Sequence, residues 1–258
     1  MGKVTGLGGI FFKAKDPAML KKWYLQHLGV GDVFLWKETD SQQHAYTVFN
    51  IFSENAPLFS GTHQSFILNY RVKGLAKMMG KLRKGGLTVE EMKDTDDGTF
   101  GSCIDPEGNK VILWEPLNQW PHVSHPSTDW VTGIGGIFFK SKNPDELKSW
   151  YQKELGMESK DGHFLFYRDD VTGAHSIEPA CLEWSLVKSD SDYFAPGNQE
   201  FMVNFRVRSL VELLENLKCQ RITAVGEVET FSYGKFGWIL DGEGNKIELW
   251  EPVEGFNF

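Results

Sequence analysis

The run "GGIFFKAKDPAMLKKWYLQHLG" at 8–29 returns at 135–156 as "GGIFFKSKNPDELKSWYQKELG". Over the window 6–30 against 133–157, 15 of 25 positions are identical. The run "FGSCIDPEGNKVILWEP" (100–116) returns as "FGWILDGEGNKIELWEP" (236–252), with 11 of 17 identical, and "FILNYRVKGL" (66–75) returns as "FMVNFRVRSL" (201–210). The offset drifts from 127 to 136 between these runs, which places the insertions mainly between residues 30 and 66. A period this long marks duplication of a whole domain rather than a solenoid. Two homologous domains are therefore expected, at 1–117 and 131–258, joined by a linker at 118–130. That linker carries Pro121, Pro126 and several polar residues, and its His122 and His125 read as solvated.

Within each domain the pattern is strand, helix, strands, then strand, helix, strands. "GLGGIFFKAK" has the aromatic and β-branched content of a strand. "DPAMLKKWYLQHLG" has an N-cap candidate at Asp16, Pro17 at the first helical position and a stop at Gly29. Leu20, Trp23, Tyr24 and Leu28 fall on one helical face. "SFILNYRV" and "KVILWEP" read as strands, "GLAKMMGKLRKGG" as a helix and "DPEGN" as a hairpin turn. The order expected per domain is βαβββ followed by βαβββ.

Composition sets limits on function. The 258 residues are 41% hydrophobic and 24% charged, a globular balance. The net charge of −8 comes with no basic stripe, so nucleic acid is not expected as a partner. Three scattered cysteines, Cys103, Cys181 and Cys219, make neither a disulfide framework nor a zinc spacing. No signal peptide or apolar span is read, so the expectation is a cytoplasmic protein that does not engage membranes. The glycine-rich "GLGGI" and "GIGGI" are not followed at once by a helix, which leaves phosphate cradling unsupported. Nine Trp and nineteen Phe call for a dense core or an aromatic-lined cavity.

The helix run ending in W-Y-x-x-x-L-G, together with the terminal D-x-E-G-N-K-x-x-L-W-E-P, occurs once per domain. On these runs the chain resembles the vicinal oxygen chelate superfamily, which includes glyoxalase I, bleomycin-resistance proteins, fosfomycin-resistance enzymes and extradiol dioxygenases. The resemblance implies an α+β chain of tandem domains. Each would consist of two βαβββ modules forming a curled mixed-sheet cup, with helices on the outer face. It also implies an intrachain pseudo-dimer, as monomer or homodimer. The family's metal ligands map to Gly9 and Gly136 on the first strand, to Ile67 and Met202 on the fifth, and to Ile112 and Glu248 on the last. Glu183 is a further carboxylate candidate. Glycine and isoleucine cannot ligate, and methionine is too soft a donor for Mg, Mn or Zn. No resident cofactor is therefore expected. The alternative is a divalent metal held by Glu248 and Glu183.

Alternation along the strands places further side chains in the cups. The candidates for ligand contact are Phe138, Lys140, Met202, Asn204, Arg206, Glu248 and Trp250 in the second domain, and Asn69, Arg71 and Trp114 in the first. The rim loop adds Tyr193, and Tyr233 borders the second cup. Arg71 and Arg206 have an equally weighted reading as ion-pair partners of Glu115 and Glu251. The function expected is binding of a small aromatic or anionic molecule without a complete chelate. One alternative is a metal-dependent lyase, isomerase or dioxygenase with its site in the second domain, using Glu183, His163 or His175. A second is a structural or interaction protein with filled cups.

Overall fold

The computed structural model describes residues 2–38, 44–117, 130–159, 163–170 and 180–253. The first half runs β1 (Lys3–Ala14), α1 (Pro17–Trp23), β2 (Val33–Glu38), β3 (His44–Ser53), β4 (Phe66–Lys73), α2 (Leu75–Lys84), β5 (Lys93–Thr95), β6 (Gly98–Ile104) and β7 (Lys110–Pro116). The second repeats it as β8 (Val131–Ser141), α3 (Pro144–Leu155), β9 (Phe164–Asp170), β10 (Ala180–Lys188), β11 (Phe201–Val207), α4 (Leu210–Cys219), β12 (Glu229–Phe231), β13 (Gly234–Leu240) and β14 (Lys246–Pro252). The fold is α+β, with tandem domains of mixed sheet as the sequence implied. Among the described residues, the first module of each half carries two strands after its helix, one fewer than the expected βαβββ. The expected linker lies outside the described residues except for Trp130.

The strand order is β12-β13-β14-β11-β8-β10-β9-β2-β3-β1-β4-β7-β6-β5, a pseudo-symmetric series joined where β9 pairs antiparallel with β2. Each half has an apolar face and a cup face. The apolar faces of both halves merge into one core. Phe12 meets Phe201 at 5.3 Å, Phe66 stacks on Phe201 at 4.9 Å, and Trp184 Nε1 donates to Tyr70 Oη at 2.6 Å. The helices pack on this shared side, so each cup lies on the opposite face of its own sheet.

Helix ends follow their sequence signals. Asp16 Oδ1 accepts from Met19 N at 3.0 Å, and Gly29 and Gly156 end their helices at φ 63° and 66°. The first helix differs from its repeat by closing in a π-helical turn, Tyr24–Leu28. Neither Gly74 nor Ser209 caps its helix through a side chain. Glu115 accepts the N–H groups of Gly74 and Leu75, and Glu251 accepts that of Leu210 at 2.6 Å. The glutamate of "LWEP" is thus the N-terminal acceptor for α2 and α4, where a carboxylate also suits the helix dipole. Lys235 completes the surroundings of Glu251 at 2.7 Å. Arg206 donates to Thr132 Oγ1 at 3.0 Å and to the Thr132 carbonyl at 3.4 Å.

The turns of the "DPEGN" and "DGEGN" runs dock each half on the other. Asp105 accepts from Glu107 N, Asn109 N and Asn109 Nδ2, which folds the turn. Glu107 then accepts from Lys142 N, Asn143 N and Ser141 Oγ at the start of α3. Glu243 does the same for Lys15 N and Asp16 N at the start of α1. Tyr24 Oη donates to Asp241 at 3.0 Å and Tyr151 Oη to Asp105 at 3.4 Å.

Candidate functional site

Strand pairing draws one row across each cup. In the second half it runs Glu183, Gly136, Asn204, Glu248. In the first half it runs Val48, Gly9, Asn69, Ile112. Asn204 is the β11 member of this row, and Met202, to which the resemblance maps the fifth-strand position, faces the same cup two residues earlier. Met202 pairs with Phe138 one row away and sits fully buried with Phe194 and Trp238. Just beyond this row β8 carries a bulge, where pairing skips from Gly136–Asn204 to Ile134–Phe205. A bulge turns neighbouring side chains toward one face.

The paired glycines in each bulge serve two different rings. A Cβ on Gly135 would run into Asn204 Oδ1 and come within 2.8 Å of Trp250 Cε3. A Cβ on Gly136 would lie 3.2 Å from the Phe138 ring, which folds back over it. Gly8 and Gly9 stand in the same relation to Trp114 and Phe11. The space above the first-strand ligand position is thus filled by an aromatic ring in both halves.

Glu248 is 1% exposed and centres the second cup. It accepts from Asn204 Nδ2 at 2.7 Å, from Trp238 Nε1 at 2.8 Å and from the Tyr193 hydroxyl. Burial pushes its pKa up, the three donors pull it down, and the charge of Glu183 adds to the rise. Burial and the Glu248 charge also push the Tyr193 hydroxyl well above its ordinary value. Tyr193 reaches in from the loop between β10 and β11, whose Phe194 is buried against Met202 and Trp238. Lys246 Nζ donates to the Tyr193 carbonyl at 2.8 Å and lies 5.4 Å from the Tyr193 ring and 5.1 Å from that of Trp238. Burial lowers the pKa of Lys246 and the Glu248 charge raises it.

The remaining candidates frame this centre. Trp250 stacks on Phe236 at 6.0 Å and donates to the Tyr233 carbonyl at 3.2 Å. Lys140 Nζ lies 5.7 Å from the Phe194 ring. Glu183, the far end of the row, is half-buried and meets His163 Nδ1 at 3.4 Å. His175 lies outside the described residues. In the first cup Asn69 and Arg71 are buried, and Trp114 stacks on Phe100 at 5.8 Å. There Phe59, Ile67 and Ile112 close together with Phe11, Phe52 and Leu58 around them. Sequence reasoning missed Trp238 and Lys246. The repeat alignment held the signal for Trp238, because it sets this tryptophan against Ser102.

The donors present do not fit a divalent ion. The first cup's row offers one amide and no carboxylate or imidazole. In the second, the donors around Glu248 are an indole N–H, an amide N–H and a phenol, which compensate a carboxylate but replace no metal. Glu183 stands three strands away from Glu248 in the sheet, and the row between them offers only a glycine and an amide. Among the described residues, no three His, Cys, Asp or Glu side chains gather to hold an ion. No helix among them is long and apolar enough to cross a membrane.

No protein-family model matches the sequence, and no curated protein matches it significantly. Solved structures do resemble it. A catechol 2,3-dioxygenase aligns with a TM-score of 0.59 and 14% identity, over 100% of this chain and 92% of the other. The Mn(II)-bound glyoxalase from Novosphingobium aromaticivorans aligns with a TM-score of 0.59 and 12% identity, over 97% and 83%. A 2,3-dioxygenase from Pseudomonas sp. KL28 aligns with a TM-score of 0.60 and 12% identity, over 98% and 94%. The chain therefore has the tandem vicinal-oxygen-chelate fold, the architecture of extradiol dioxygenases and glyoxalases.

Proposed function

We propose that this protein binds a small molecule in its second cup, through hydrogen bonds and aromatic contact and without a chelated metal. The observation that carries this reading is Glu248, a buried carboxylate placed where the first cup has Ile112. A carboxylate costs several kcal/mol to bury unless donors meet it, so a purely structural cup wall would favour the isoleucine. Around it the walls are aromatic and partly open, with Phe138, Phe236 and Tyr233 neither buried nor fully exposed. Small-molecule sites commonly combine such walls with a few convergent polar groups.

A thermal-shift screen of aromatic small molecules, both charged and neutral, tests the proposal. A hit should raise the melting temperature of the wild type, and Glu248→Gln should remove most of the shift. The same hit should act equally on Ile112→Leu. Hits indifferent to both substitutions would place the site elsewhere.

The filled-cup reading is favoured for the first half by a specific observation. Phe59 is 3% exposed and plugs an entirely apolar cluster with Ile67 and Ile112. The first domain then acts as the scaffold on which the second is held. The metal-dependent lyase or dioxygenase reading follows from the names of the structural neighbours. It would need Glu248 released from Tyr193 and Trp238.

A further inference from the structure

Resting on that reading, we infer that the second cup selects a small organic cation carrying N–H donors, such as an amidinium or a protonated aromatic amine. The two cups are near copies, so their differences along the row show what sets the second apart. Val48 becomes Glu183 and Ile112 becomes Glu248, while the glycine and the asparagine between them stay. Both changes turn an apolar side chain into a carboxylate, at the two ends of one row.

A second observation points the same way. Asn204 is 3% exposed, and its Oδ1 has no hydrogen-bond partner. Its Nδ2 is drawn to Glu248, which turns Oδ1 over the bare Gly135 on the cup side, beside Trp250. In the first cup Asn69 Oδ1 is likewise without a partner, but there the amide presents Nδ2 toward Gly8, so only in the second cup is the orphaned oxygen turned to that side. Asn204, Trp238 and Tyr193 direct their donors at Glu248, and Trp250 and Lys246 give theirs to backbone carbonyls. The open capacity is an acceptor, and a buried acceptor left without a donor costs about 1–3 kcal/mol. A ligand that donates hydrogen bonds relieves that cost, and one that only accepts does not.

The cations near the cup already have partners on neighbouring rows. Arg206 is held on Thr132, Lys140 lies over Phe194, and Lys246 lies over Tyr193 and Trp238. The lysine contacts also show that the rings of this cup receive ammonium groups, as the negative face of an aromatic ring does. The Trp250 and Phe236 wall beside the row offers the same surface to a ligand.

Benzamidine, benzamide and benzoate form a matched planar series differing in charge and donor count. Ligand-observed NMR titration of the wild-type protein should show saturable binding of benzamidine, weaker binding of benzamide and none of benzoate. Glu248→Gln and Glu183→Gln should each weaken benzamidine at least tenfold. Glu183 is half-exposed, so its variant remains informative if the Glu248 variant fails to fold. Benzoate binding as well as benzamidine, with the difference insensitive to both substitutions, would overturn the cation preference and leave small-molecule binding standing. Failure of all three probes, with no hit in the broader screen, would overturn both.

Discussion

A methyl group on Gly135 would meet Asn204 and the Trp250 indole, and neither can yield without disturbing Glu248 or the aromatic wall. Gly135→Ala should therefore destabilise the chain by about 1–3 kcal/mol, as overpacking does. Urea denaturation would check it, with a lower midpoint at an unchanged slope. Glu248 gives a second residue-scale prediction. Its native pKa is raised, chiefly by burial. Below the ordinary glutamate range both folded and unfolded chains carry the proton, and the stability linked to this group is fully present. As pH rises from that range through the raised native value, the unfolded chain loses its proton first and that stability is lost. Denaturant midpoints across this window should fall with rising pH for the wild type relative to Glu248→Gln. A pH-independent difference would contradict the buried ionisation. Glu248 as the distinguishing residue of the second cup was legible from the sequence, because the repeat supplies its own control in Ile112. Of its partners, Asn204 and Tyr193 were named as cup residues, from strand alternation and from the rim loop. Trp238 was not, because it lies on a neighbouring strand that was not assigned to the cup. Strand alternation put Met202 and Asn204 on one cup face, because pairing is regular between them and the Gly135–Gly136 bulge lies beyond.

At the scale of elements, the repeated "DxEGNK" run acts as a bracket between halves rather than as chemistry. Glu107 and Glu243 each accept backbone N–H groups at the helix start of the opposite half. Losing such a cap costs about 0.5–2 kcal/mol. Glu107→Ala and Glu243→Ala should each lower stability by that amount, without changing ligand binding at Glu248, as paired denaturation and titration would show. The helices, their proline starts and their glycine stops were legible, since capping depends on residues adjacent in sequence. The acceptors from the opposite half were not, because they come from residues 34 to 228 positions away in sequence. The same limit hid the role of Glu115 and Glu251, which cap α2 and α4 instead of resolving the choice posed for Arg71 and Arg206.

At the scale of the whole molecule, duplication could be read from the two copies, and the cup architecture followed from the family resemblance. How the copies meet could not. The apolar faces of both sheets share one core, with Phe12, Phe201, Phe66 and Phe139 linked in that order by ring contacts. A continuous core of this kind should unfold as one unit. Scanning calorimetry should show a single transition, and two resolved transitions would contradict the shared core. The cups face away from this core, which lets one fill with apolar side chains while the other keeps a polar centre. The central claim is that Glu248 belongs to a hydrogen-bonding site closed to metal by its own donors. Elemental analysis of untagged protein, after incubation with Ni, Zn, Mn, Fe(II) or Mg and removal of free ion, tests it most directly. The account predicts no retained ion at Glu248 and the same content in Glu248→Gln. One ion held per chain and lost in Glu248→Gln would contradict it.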